Sequence, residues 1–135
     1  MTLFLCEIDI DDHWVRWVRA GHDPALIYDP ETDSFDELSG RGLPLKVVED
    51  SRYQTLTREI KPGQIIAIGT DGIWETTNTE GQQFGKGRFK DVIQTHASEN
   101  AVEILTKVIN AVDGFAGKSE KSDDVTLVII KVEAQ

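Results

Sequence analysis

The feature that most constrains the fold of this chain is the nearly continuous apolar run at residues 64–70, QIIAIGT. A strand that is buried on one face alternates apolar and polar residues, whereas an uninterrupted apolar run is typical of a strand buried on both faces. The run therefore predicts a central strand of a sheet that is covered on both sides. The chain has 135 residues, the size of one ordinary domain, so a single domain is expected.

The first half of the chain is predicted to consist of short strands separated by turns. Two β-rich runs at residues 2–9 and 14–19 flank the polar stretch IDIDDH and predict an antiparallel hairpin. Further strands are predicted at residues 25–29, 34–38 and 53–60, and the Gly- and Pro-containing segment GRGLPLKVV between the last two is predicted to be irregular.

The second half changes to a helical period. Apolar residues within 89–93 predict one helix, and a longer helix follows for which Ser98 is the expected N-cap. Gly114 and Gly117 are predicted to end that helix. Residues 125–132, VTLVIIKV, predict a second buried strand. The predicted fold class is therefore α+β, with helices inserted between the late strands of a largely antiparallel sheet.

Composition excludes several classes of function. The 24 acidic and 14 basic side chains give a formal net charge of −10, which repels phosphodiester backbones, so nucleic acid is not an expected partner. No apolar run approaches the ~20 residues that span a bilayer, so no membrane span is expected. The N-terminus lacks the features of a secretory signal, which predicts a cytoplasmic location. The single cysteine, Cys6, allows no internal disulfide and is expected to pack as a small hydrophobe.

Acidic residues stand at the ends of the two apolar strands. Asp71 follows the first strand, while Asp123 and Asp124 precede the last one, so antiparallel neighbours would place them at the same end of a sheet. Oxygen ligands of this kind suit Mg²⁺ or Mn²⁺, and zinc is disfavoured because the three histidines and one cysteine lack ligand spacing. The alternative is that Asp71 lies in an ordinary turn with Gly72, and that residues 122–124 form a loop or cap. The residues alone leave both interpretations open.

Two further side chains near these segments have alternative interpretations. His22, in the stretch RAGHDPAL, is either a general base or a turn residue that hydrogen-bonds to the backbone. Trp74, three residues after Asp71, either lines a pocket or packs in the core.

Five motifs in order along the chain resemble one protein family. They are RAGHDPA at residues 19–25, GLPLK at 42–46, TDGIWE at 70–75, NTEGQQFG at 78–85 and DDVT at 123–126. These are similar to the N-A-G-H-N/H-P-P, G-x-P-L-G, T-D-G-x-x-E, N-x-x-G-x-x-F-G and D-D-x-T motifs of the bacterial metal-dependent serine/threonine protein phosphatases of type 2C, in particular the stage II sporulation protein E branch.

The resemblance implies a β-sandwich flanked by helices with a binuclear Mg²⁺ or Mn²⁺ centre at one end. It implies that Asp71 and Asp123 are metal ligands, with Gly72, Asp124, Glu75 and His22 in supporting positions. A metal-activated water would attack phosphorus in line, without a phosphoenzyme. The implied substrates are phosphoserine or phosphothreonine residues of regulatory phosphoproteins, commonly anti-sigma-factor antagonists.

Departures from the family pattern qualify this expectation. The early acidic ligand and the following ligand segment of the family have no counterpart, so residues 1–135 are expected to be the C-terminal portion of a single, incomplete phosphatase-like domain. Lys46, Asp23 and Ala25 replace the usual glycine, Asn or His, and proline. Strands without their usual neighbours would expose sheet edges, which predicts a homodimer. A non-catalytic phosphatase-like module in a partner-switching pathway, and a structural or cation-binding domain without phosphatase relation, are the alternative functions.

Overall fold

The structure is a computed structural model that describes residues 1–119 and 123–134. Within those residues the chain forms seven strands and two helices. Their order is β1 (Leu3–Asp9), β2 (Trp14–Ala20), β3 (Ala25–Asp29), β4 (Ser34–Leu38), β5 (Thr55–Glu59), β6 (Ile65–Gly69), α1 (Gly85–Thr95), α2 (Ala101–Ala116) and β7 (Leu127–Lys131). The predicted insertion of the helices between the last two strands is confirmed.

The strands form two antiparallel sheets. The first sheet has the order β1-β2-β5, and the second has the order β4-β3-β6-β7. One apolar core lies between the sheets and another lies between the second sheet and the two helices. The predicted α+β fold, an antiparallel sandwich flanked by helices, is therefore confirmed.

The strand β6 is the centre of this arrangement, because its two faces belong to different cores. Ile66 packs between the sheets, whereas Ile65 and Ala67 pack under the helices. All three side chains are at most 2% exposed. This double burial explains why the run at residues 64–70 lacks polar alternation, and it confirms the predicted central strand.

The longer helix, α2, begins two residues later than the sequence suggested. Its N-cap is Asn100, whose side chain accepts a hydrogen bond from the backbone N–H of Glu103, while the Glu103 carboxylate accepts one from the N–H of Asn100. The prediction of Ser98 as N-cap is wrong, because residues 96–99 still belong to the turn that leaves α1. At the other end, Gly114 lies inside the helix, and Gly117 with a φ of 58° follows its last residue.

The last strand, β7, is less buried than predicted. It lies at an edge of the second sheet, and its residues are half-buried apart from the exposed Val128. An apolar crevice of about 270 Å³ opens beside it, with Ile8 and Ile130 among its lining residues. Cys6 is half-buried against the core between the sheets, and burial raises the pKa of its thiol.

Neither of the two described helices has the length and apolar character needed to cross a membrane.

Candidate metal-binding cleft

Pairing between β6 and β7 brings the acidic residues to one end of the second sheet. Gly69 pairs with Leu127, and the backbone N–H of Thr70 donates to the carbonyl oxygen of Thr126 at 3.1 Å. The N–H of Thr126 in turn donates to the hydroxyl of Thr70 at 3.1 Å. These bonds fix the register in which Asp71 leaves β6 just where the chain that includes Asp123 and Asp124 enters β7.

Gly72 allows the two acidic segments to approach each other closely. A Cβ atom at this position would lie 2.2 Å from the carbonyl oxygen of Asp124, a distance that no side chain tolerates. The hydroxyl of Thr76 donates to the carbonyl oxygen of Gly72 at 2.6 Å, and the N–H of Glu75 donates to the carbonyl oxygen of Asp71 at 2.8 Å. Residues 71–74 therefore form a turn, as one interpretation of the sequence held, and the turn packs directly on the backbone of Asp124.

The carboxyl groups at this end are presented to solvent. Asp71, Glu75, Asp123 and Asp124 are all exposed. The N–H of Asp124 donates to Oδ1 of Asp123 at 2.7 Å, which orients that carboxylate. Ser122, which the sequence placed in the same loop, lies outside the described residues.

Asp71 borders a small cleft that also includes His22. The cleft has a volume of about 120 Å³ and is lined by Thr2, Gly21, His22, Asp23, Gly69, Thr70 and Asp71. Nδ1 of His22 lies 2.8 Å from the carbonyl oxygen of Asp23 and must carry the proton, because a carbonyl oxygen only accepts. This is the backbone contact that the turn interpretation of His22 predicted. The same ring nevertheless lines the cleft together with Asp71.

The first two motifs pack against each other, and residues of the first motif line the cleft. The N–H of Gly21 donates to the carbonyl oxygen of Gly42 at 3.0 Å. A Cβ at Gly42 would lie 2.0 Å from the carbonyl oxygen of Arg19, so the two segments touch through their backbones. The guanidinium of Arg19 donates to the carbonyl oxygens of His22 and Gly40, which braces the turn that presents His22.

Lys86, in the first turn of α1, lies at the rim of the cleft beside Asp23, which sequence reasoning missed. Nζ of Lys86 lies 3.4 Å from Oδ2 of Asp23 and 4.7 Å from the centroid of the Trp74 ring. The Trp74 ring also packs against Phe89 at 6.0 Å between centroids. Trp74 is thus both a packing residue and the support of a cation beside the cleft. The only signal in the sequence was that Lys86 directly follows the motif at residues 78–85.

The donor set at this end suits a hard divalent ion in type but supplies only part of a coordination shell. Carboxylate oxygens are the ligands of Mg²⁺ and Mn²⁺, and Mg²⁺ is commonly held by one or two carboxylates together with waters and substrate phosphate. Within residues 1–119 and 123–134 no three His, Cys, Asp or Glu side chains converge closely enough to hold an ion. Asp71 and Asp123 could each supply one carboxylate to such an ion.

Comparison with known proteins relates the chain to phosphatases. The family model described as stage II sporulation protein E matches residues 1–133. Phosphoserine phosphatase RsbU of Bacillus subtilis is 24% identical over 131 residues, which is 97% of this chain and 38% of that protein.

Solved structures show the same fold. The SiaA-PP2C domain of Pseudomonas aeruginosa superposes with a TM-score of 0.81 at 20% identity, over 96% of this chain and 51% of that one. The manganese-presoaked phosphatase domain of the cell fate determinant SpoIIE from Bacillus subtilis superposes with a TM-score of 0.73 at 18% identity, over 99% of this chain and 57% of that one. The chain thus spans little more than half of these solved domains, and a smaller share of RsbU.

Proposed function

This chain belongs to the stage II sporulation protein E family, and we propose that it is the C-terminal portion of a metal-dependent serine/threonine phosphoprotein phosphatase domain. The single observation that carries the proposal is the pairing of β6 with β7. It sets Asp71 at the same end of the sheet as Asp123, with Gly72 against the backbone of Asp124. RsbU, a relative over 97% of the chain, is a phosphoserine phosphatase, which supports the same reaction class.

In this proposal several residues at this end of the second sheet have a task. Asp71 and Asp123 would hold Mg²⁺ or Mn²⁺ through their exposed carboxylates, and Gly72 and Asp124 set the spacing between the two segments. Such an ion would supply a Lewis acid for the phosphoryl oxygens and a water of lowered pKa as nucleophile. His22 borders the space in which the phosphoryl group would lie.

The proposed substrate is a phosphoserine or phosphothreonine residue of a regulatory protein, such as an anti-sigma-factor antagonist. The name of RsbU supports phosphoserine in particular. We expect the phosphorylated side chain to enter the cleft that His22 and Asp71 line. A cytoplasmic location is part of the same proposal.

The test is manganese-dependent hydrolysis of a phosphoserine peptide by the 135-residue chain, with release of inorganic phosphate as the readout. We expect Asp71→Asn to reduce the rate at least about a hundredfold, because it removes a charged ligand of the ion. Asp91→Asn is the matched control, since Asp91 is an exposed residue of α1 that lines none of the cleft. Activity that survives Asp71→Asn would refute the proposed mechanism.

A non-catalytic interaction module is the second candidate function. The observation that favours it is that the described residues bring no three ligands together. Titration of Mn²⁺ followed by its electron paramagnetic resonance signal separates the two candidates. Binding that Asp71→Asn weakens supports the phosphatase, whereas peptide binding without any bound Mn²⁺ or hydrolysis supports the module.

We also propose that two copies of the chain associate through their sheet edges. In the described part of the chain no strand pairs with the outer edge of β1 or of β7, and Leu5 and Val128 are 60% and 44% exposed on these strands. Open edges of this kind promote pairing between chains. Sedimentation velocity at micromolar protein should show a dimer, and Val128→Lys should shift it to monomer. A wild-type chain that sediments only as a monomer would contradict this proposal.

A further inference from the structure

Lys86, at the rim of the cleft, has no role in the reaction proposed above. Nζ of Lys86 lies above the face of Trp74, at 4.7 Å from the ring centroid, and 3.4 Å from a carboxylate oxygen of Asp23. Asp23 itself lines the cleft, next to His22. The ammonium group is therefore one side chain away from the space beside Asp71.

The ion pair that holds Lys86 is of a kind that exchanges easily. A charge-assisted N–H···O bond is normally about 2.7–2.9 Å long, so 3.4 Å is a loose contact. Both side chains are about 40% exposed, and pairs with this exposure contribute little to stability. The cation–π contact with Trp74 keeps the ammonium at the rim without using its N–H donors.

The negative charge of the carboxylates at this end of the molecule explains why the ammonium of Lys86 would matter for substrate binding. Without a bound ion, Asp23, Asp71, Asp123 and Asp124 would all repel an arriving phosphoryl group. Cationic side chains contact lining residues of the cleft, Arg19 at His22 and Lys86 at Asp23. The guanidinium of Arg19 donates to the carbonyl oxygens of His22 and Gly40, whereas the ammonium of Lys86 makes a loose ion pair that an arriving anion could replace.

We propose that Lys86 binds the phosphoryl oxygens of a phosphoserine substrate at the mouth of the cleft and exchanges Asp23 for the substrate in doing so. Trp74 holds the ammonium in position, and Asp23 neutralises it while the cleft is empty of substrate. This assignment rests on the proposed function for the identity of the substrate, but the binding step requires no hydrolysis.

The experiment uses nuclear magnetic resonance of the 15N-labelled chain, with the indole N–H signal of Trp74 as the reporter and Trp74→Phe to assign it. A phosphoserine peptide is titrated in the presence of Mg²⁺, beside the same peptide with unmodified serine. We expect a saturable shift with the phosphorylated peptide alone. Lys86→Gln should weaken the fitted affinity at least about fivefold, and Lys86→Arg should retain most of it because it keeps the charge.

Lys90→Gln is the matched control. Lys90 lies one turn further along α1, and its ammonium is also above an aromatic ring, at 5.6 Å from the centroid of Phe35. Phe35 belongs to β4 and pairs with Tyr28, so this lysine is not at the cleft. The control removes one positive charge from the same helix, and it should leave the affinity unchanged.

The outcomes separate this inference from the proposed function. Absence of binding by the wild-type chain, an unchanged affinity in Lys86→Gln, or an equal loss in Lys90→Gln would each overturn the role of Lys86. Hydrolysis that depends on Asp71 while KM is unaltered in Lys86→Gln would also overturn it and leave the phosphatase proposal intact. Phosphoserine binding that depends on Lys86, in a chain without hydrolysis, would support the site and refute the catalytic proposal.

Discussion

Replacement of Gly72 by alanine is expected to destabilise the protein strongly, although the change adds only one methyl group. The new Cβ would lie 2.2 Å from the carbonyl oxygen of Asp124 and 3.0 Å from its carbonyl carbon. A carbon and an oxygen in van der Waals contact are about 3.3 Å apart, so the backbone at Asp124 must move by about 1 Å. That backbone cannot move alone, because it leads directly into β7.

The magnitude follows from the hydrogen bonds that such a movement would disturb. Thr70 bonds to the N–H and the carbonyl oxygen of Thr126, each at 3.1 Å, and its hydroxyl donates to the carbonyl oxygen of Asp124 at 3.3 Å. Loss of two or three such bonds costs about 2–3 kcal/mol in the free energy of unfolding, in line with about 1–3 kcal/mol for overpacking. At about 4 °C per kcal/mol for a chain of this length, Tm should fall by about 8–12 °C.

The assay is thermal unfolding followed by circular dichroism, without divalent ions, so that only packing is measured. Gly114→Ala is the control, because a Cβ at Gly114 in α2 would meet no heavy atom within 4 Å. A glycine-to-alanine change inside a helix stabilises by up to about 1 kcal/mol, so the two variants should shift Tm in opposite directions. A Tm of Gly72→Ala equal to that of the wild type would refute the close packing of the two acidic segments.

Two further predictions concern stability. The hydrogen bond from Tyr28 to Asp33, 2.6 Å long, raises the pKa of the Tyr28 phenol from 10.0 to about 12. The stabilisation by this hydrogen bond is present below pH 10 and is lost as the pH rises through about 12. In denaturant titrations the difference in unfolding free energy between wild type and Tyr28→Phe should therefore shrink over that range. A difference that stays constant would contradict the raised pKa of Tyr28. Asn100→Ala should lower the free energy of unfolding by about 1 kcal/mol, because the capping box is lost. Ser98→Ala should change the stability measured by urea unfolding little. Equal effects of the two substitutions would contradict Asn100 as the N-cap of α2.

The sequence predicted most of the scaffold because its strongest signals are local. The run at residues 64–70 has one physical explanation, burial on both faces, and the structure shows Ile65 and Ile66 in two different cores. Turn residues and alternation placed the early strands to within two residues. The motifs then indicated the family, and the match of the family model to residues 1–133 confirms that resemblance.

The errors came where several local solutions compete. Ser98 and Asn100 are both good N-caps, and only the path of the chain out of α1 decides between them. The apolar segment at 125–132 predicted a buried strand, but burial depends on neighbours in the sheet, and β7 has a neighbour on one side among the described strands. The local sequence pattern alone could not decide which residue caps α2 or how deeply β7 is buried.

The sequence did not predict the contact between Lys86 and Asp23 at the rim of the cleft, and the reason is different. Lys86 and Asp23 are separated by more than sixty positions, and a loose ion pair leaves no periodic pattern in the sequence. Trp74 was interpreted as either a packing or a pocket residue, and its ring packs against Phe89 and under the ammonium of Lys86 without being among the residues that line the cleft. The roles of Asp71, Asp123, Gly72, Asp124, Glu75 and His22 in catalysis stay predictions.

The hydroxyl of Thr70 joins residues that are 54 and 56 positions away in the chain, and this separation determines when the acidic end can assemble during folding. Closing a loop of that length costs roughly 3–4 kcal/mol of chain entropy, and this cost comes before the contacts between the strand ends can form. We therefore expect β6 and β7 to pair after α1 and α2 have formed between them. A divalent ion would then find Asp71 and Asp123 at one end of the sheet only after β6 and β7 have paired. It should slow unfolding of the native protein and leave the folding rate almost unchanged.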